Sequence, residues 1–170
     1  MQLLITQLWK LCIFQSSPSD LPASNFLLAL LLVFNAALTI TFNLIFNPVS
    51  ALAAISAVMI GLTANALLLW GLLHLLSMPN RFTQTFSAML GVDIILTSLT
   101  FVASIFIYEN GEPKPDSPIA ILLLLLIWTL AAYTYILQKA LNVHLFLAAF
   151  ITFFMFLFSI AISQVATGGT

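Results

Sequence analysis

Apolar residues along this chain come in long runs, and the polar residues gather in short clusters between them. The seven prolines stand in or beside those clusters, at positions 18, 22, 48, 79, 113, 115 and 118. Proline breaks a helix interior but suits its first turn, so these positions mark the gaps between helices. The intervening runs reach about 20 residues or more, enough to cross about 30 Å of hydrocarbon. Five spans are predicted, at about 22–46, 48–77, 81–108, 118–139 and 143–165. Asn47-Pro48 and Ser117-Pro118 read as helix starts, and Asn142 can cap the fifth span. A single helix over 118–165 would run about 70 Å. It would bury Lys139 and His144 at mid-membrane, so a tight helical hairpin is expected there instead.

Residues 1–15 read as a short amphipathic helix in the membrane interface. Gln2, Thr6, Gln7 and Lys10 gather on one side, while Leu4, Leu8, Leu11 and Cys12 fall on the other. Trp9 and Lys10 would anchor it, as Arg81 and Lys139 would anchor the spans. The fold class expected is therefore all-α, a polytopic membrane bundle. The interfacial helix leads it, five transmembrane helices fill 16–166, and a polar tail closes it at 167–170.

Composition narrows the function classes. Of 170 residues, 62% are hydrophobic and 5% charged, with mean hydropathy +1.18. A soluble domain carries about 25% charged residues, so a soluble enzyme or a disordered chain is excluded. Four Lys/Arg against five Asp/Glu also argue against nucleic acid as a partner. The lone Cys12 can form no internal disulfide. The motifs HExxH, GxSxG, GxGxxG and GxxxxGK[ST] do not occur, and no enzyme activity, cofactor or metal is expected. His74 and His144 read as interfacial side chains. In alternating loops, Lys10, Arg81 and Lys139 fall on one side and Lys114 on the other. By the positive-inside rule the N-terminus is cytoplasmic and the C-terminus external.

Asp93 is the ionisable residue deep in a span, twelve residues beyond Arg81 and so about 18 Å along a helix. A carboxyl at that depth costs at least about 2.5–3.5 kcal/mol and should face protein or a water-filled cavity. Thr97, Thr100 and Ser104 continue its face. Asn35 and Asn65 lie at nearly the same depth of the first two spans, which makes Asp93, Asn35, Asn65 and Thr97 a candidate mid-membrane polar cluster. Two uses are open: hydrogen-bonded glue between helices, or a site for protons or a solute. The small residues Ala54, Ala57 and Gly61 mark a packing face, the tyrosines read as interface anchors or packing residues, and the phenylalanines around the fifth span suggest lipid contact.

The segment SPSDLP (17–22), five spans behind a cytoplasmic N-terminus, RFTQTFSAMLG (81–91) and WTLAAYTYILQKAL (128–141) together resemble the Yip1-like five-span membrane proteins, including small bacterial members. The resemblance covers about residues 16–165. It implies the five-span fold and a bacterial inner-membrane setting. The eukaryotic family is associated with membrane trafficking and small-GTPase partners; the bacterial members bring no activity or site residues with them. The expected role is a small non-enzymatic scaffold, subunit or assembly partner. The alternative is a small transporter or proton-coupled channel using Asp93. Its partners would be the lipid bilayer and another membrane protein or a second copy of the chain.

Overall fold

Each long apolar run folds as a helix, since a backbone in lipid must satisfy its polar groups within the segment. The computed structural model describes residues 2–46, 50–109, 112–114 and 118–166. Among these residues the helices are α1 (Gln2–Cys12), α2 (Asn25–Phe46), α3 (Ala51–Leu75), α4 (Phe82–Ile107), α5 (Ala120–Leu141) and α6 (Leu145–Ala166). The last five are long and apolar enough to cross a membrane, as expected. Between α4 and α5 a small antiparallel ribbon pairs β1 (Tyr108–Glu109) with β2 (Glu112–Pro113), which the apolar pattern did not suggest.

The helix ends differ from expectation in detail. Asn47-Pro48, Ser117 and the tail at 167–170 lie outside the described residues. Within them, Ser50 starts α3, its hydroxyl accepting from the Ala53 amide at 3.2 Å. Asn142 caps the C-terminus of α5 rather than the start of α6, in the left-handed conformation (φ 55°) that Asn tolerates. The tight α5–α6 hairpin forms there, and α6 begins at Leu145.

The spans pack in the order α2, α4, α5, α6 and α3, and α3 returns to α2, so the bundle is a closed ring. Helix α6 joins it through a narrow stripe, Ala148, Thr152 and Met155, spaced four and three. Its outer face keeps Phe146, Phe150, Phe153 and Phe154 exposed, in line with the lipid contact expected of this span. Phe42, Phe46, Phe101 and Tyr108 interlock α2 with α4 at the end remote from Arg81, ring centroids 5.5–6.2 Å apart across the two helices. The expected packing face is used in part: Ala54 is buried, whereas a Cβ at Gly61 would meet nothing within 4 Å.

Helix α1 forms where the pattern put it, and its apolar face meets protein. It packs along the outside of α4 and α5. The Leu8 side chain sits where a Cβ at Gly91 would be. Gly91 is ten residues beyond Arg81, about 15 Å into the span. The Trp128 indole N–H donates to the Cys12 carbonyl at 2.8 Å, and Leu11 and Cys12 are fully buried. The chain then turns at Phe14 (φ 61°), whose ring meets Tyr135 edge-on at 5.5 Å. With α1 outside and the ring inside, α4 is buried without interruption from Thr85 to Val92. Trp9 and Lys10 remain on the exposed side of α1.

Candidate functional site: a mid-membrane cavity

The ring surrounds a partly open cavity of about 240 Å³. Its wall comes from α3, α4, α5 and α6 and is mostly Leu, Met and Phe. Polar groups break that wall at Asn65, Asp93, Thr129, Tyr133, Thr152 and Ser159. Thr129 and Thr152 are turned back on their own helices, donating to the Leu125 and Ala148 carbonyls, both at 2.9 Å. The groups left to face the cavity are the Asp93 carboxyl, the Tyr133 phenol and the Asn65–Ser159 pair.

Asp93 is held from two sides. The Asn35 Nδ2 donates to Oδ2 at 2.6 Å, and the Tyr133 hydroxyl donates to Oδ1 at 3.0 Å. Asn35 is 1% exposed and approaches from α2, behind the cavity wall. Across the cavity the Ser159 hydroxyl donates to Asn65 Oδ1 at 3.0 Å, tying α6 to α3. The expected cluster therefore divides. Asn35 and Asp93 meet directly; Asn65 shares the cavity but bonds elsewhere. Thr97, one turn beyond Asp93, is partly exposed and is not part of the wall. Its neighbours Ser98 and Thr100 bond back to the Ile94 and Leu96 carbonyls, while the Ser87 and Ser104 hydroxyls are buried without a partner.

Tyr133 and Ser159 are the site residues that sequence reasoning missed. Tyr133 lies eight residues before Leu141, about 12 Å in. Side chains lean toward the N-terminus of their helix, here toward the middle of the span. A phenol leaning that way reaches the depth of Asp93, and this was the available signal. Of the four expected anchors, two stand together at one end: the Arg81 Nη1 donates to the Ala140 carbonyl at 2.9 Å, and the Lys139 Nζ stands 5.6 Å from the Tyr135 ring centroid.

An ionised carboxylate offers about four acceptor positions. Two are used by Asn35 and Tyr133, so Asp93 can still accept from a donor placed in the cavity. Ser159 faces an amide oxygen and no base, so it lacks the arrangement that activates a nucleophile. Among the described residues, no three His, Cys, Asp or Glu side chains come together as metal ligands. No protein-family model matches the chain, and no curated protein or solved structure matches it. Fold and site together define an integral membrane protein, a helical bundle with a mostly apolar cavity at the middle of its spans that a carboxyl faces.

Proposed function

We propose that this chain is a membrane-embedded solute-binding protein, a small transporter or proton-coupled channel without enzymatic activity. The observation that carries the reading is the cavity itself. A carboxyl with spare acceptor capacity faces a mostly apolar space of about 240 Å³. An ionisable group at such depth is costly, and this one is turned inward. A small organic cation with an apolar body suits both features: its ammonium donates to Asp93 and its carbon skeleton contacts the Leu, Met and Phe wall. The arrangement of cations supports an N-terminus in the cytoplasm and a C-terminus outside; the setting proposed is a bacterial inner membrane. Arg81 and Lys139 share one end of the ring, and Lys114 follows the opposite end of α4.

One observation favours a second reading, a scaffold, subunit or assembly partner. The same polar groups tie helices together, α2 to α4 to α5 through Asp93 and α3 to α6 through Asn65. Purification in mild detergent, followed by thermal unfolding with short-chain alkylamines, separates the two. Solute binding requires an amine-dependent rise in Tm for the isolated protein and its loss in Asp93→Asn. A wild-type Tm indifferent to amines, with a stoichiometric protein partner co-purifying, would sink the solute-binding reading.

A further inference from the structure

The Arg81–Lys139 end of the bundle holds a second pocket of opposite character. Its volume is about 330 Å³, and apart from Pro18 and Ala140 every residue in its wall has a polar side chain. Three elements build it: the 3₁₀ turn Pro18–Asp20 with Ser17 before it, the first turn of α4, and the end of α5. They bring together Ser17, Ser19, Arg81, Gln84, Lys139 and Asn142. Half of the chain's four Lys/Arg residues thus face one concavity.

The donors are not used up by the protein. Arg81 gives one N–H to the Ala140 carbonyl and retains others of its five. Lys139 stands over the Tyr135 ring, a contact that leaves its three ammonium hydrogens for other acceptors. The Ser19 hydroxyl donates to Ser17 Oγ at 2.9 Å, so the Ser17 hydroxyl hydrogen is available for another acceptor. Gln84 uses one amide hydrogen on the Leu21 carbonyl. The first turn of α4 carries no acidic residue and no side-chain cap, so the positive end of its dipole is not offset there. The nearby carboxylate, Asp20, is outside the pocket wall. It is engaged by the Ser17 amide at 2.8 Å and the Ser16 hydroxyl at 3.0 Å, and these bonds hold it below the usual carboxylate range.

We propose that this pocket binds a phosphate group, presented by an anionic phospholipid headgroup. A guanidinium offers the forked donors that match phosphate oxygens, and an ammonium and a hydroxyl beside it complete a charge-assisted set. The location selects the lipid as the source. Arg81 and Lys139 stand at the ends of membrane-spanning helices, the level at which lipid phosphates lie, and basic pockets between such helices suit anionic headgroups. The exposed Phe14 ring against Tyr135 offers an apolar surface on the membrane side, along which the acyl chains run.

The test uses the full chain in detergent, titrated with dioctanoyl phosphatidylglycerol, its phosphatidylcholine counterpart or inorganic phosphate, with Tm as the readout. Phosphatidylglycerol should raise Tm at concentrations where phosphatidylcholine does not. Lys139→Gln should weaken that response about fivefold, the effect of one cation at a membrane surface. Arg81→Gln should weaken it at least as much, and Ser17→Ala, which touches no charge, should weaken it measurably while the protein remains folded. A response to inorganic phosphate at the same concentrations would support the phosphate site and name a free anion as its source. Equal responses to the two lipids, or a phosphatidylglycerol response unchanged in both Lys139→Gln and Ser17→Ala, would overturn the proposal.

Discussion

At the scale of single residues, Asp93 does two things at once. It joins α2 to α5 across α4, and it presents a carboxyl to the cavity. Substitutions separate these roles. Asp93→Asn keeps the shape, and a flipped Asn35 amide can present its oxygen to the new amide while Tyr133 still donates to the remaining oxygen. Thermal and denaturant unfolding should therefore show little loss. Asp93→Leu strands the Asn35 amide, which is 1% exposed, and should cost about 1–3 kcal/mol. Tyr133→Phe removes one donor and should cost about 1 kcal/mol, within the range of polar contacts between membrane helices. An Asp93→Leu protein as stable as the parent would show that these bonds contribute nothing to the bundle. The Asn35–Asp93 partnership was legible because matched depth in two spans can be counted along the sequence. Tyr133 and Ser159 were not found, since aromatic and hydroxyl residues are common in spans and depth alone does not say which helices are neighbours. Thr97 failed for the converse reason: lying about 40° from Asp93 around the helix, at 100° per residue, did not bring it into the wall.

At the scale of elements, α1 shows what periodicity can and cannot say. Polar and apolar positions recurring at helical spacing identified the helix and its apolar face. They could not say whether that face meets lipid or protein, because both are apolar. Gly91 was a clue, being a place on α4 where another group approaches closely. Gly91→Ala should displace the Leu8 side chain and cost about 1–3 kcal/mol of α1 docking. Since about 1.4 kcal/mol is tenfold in an opening equilibrium, alkylation of Cys12 by a permeant maleimide should speed up by about fivefold or more. Adding Leu8→Ala should restore part of the protection; a rate unchanged by Gly91→Ala would argue that α1 does not dock there. Cys12 also gives α1 a pH signature. Burial pushes its thiol from an ordinary 9.0 up to about 11. Between those values the unfolded chain has lost the proton that the folded chain keeps, so the unfolded state binds fewer protons and stability falls as pH rises. Tm should decline across pH 9–11, and Cys12→Ala should remove that part of the slope.

At the scale of the whole molecule, the order of spans came from counting apolar runs, and the structure keeps all five. Ring closure did not come from counting, because which helix neighbours which depends on side chains spread over the whole chain, such as Asn65 on α3 and Ser159 on α6. The burial of Cys12 changes how sidedness must be measured. A fully buried native thiol stays unreactive to an impermeant reagent on either side of a membrane, so its silence reports packing, not topology. Exposed positions at the two ends of the ring give the answer instead. In a Cys12→Ala background, Asn80→Cys lies beside Arg81 at one end and Ile119→Cys lies before α5 at the other, both exposed. With the N-terminus in the cytoplasm, Ile119→Cys should label in intact cells and Asn80→Cys only after permeabilisation. The reverse pattern would invert the orientation and place the basic pocket on the external face. Labelling of both in intact cells would contradict a span between them and with it the ring. Since Arg81 is bonded to the Ala140 carbonyl at 2.9 Å, a third cysteine at Asn142, exposed in the α5–α6 turn, must behave as Asn80→Cys does. Disagreement between those two positions would break the hairpin rather than the orientation.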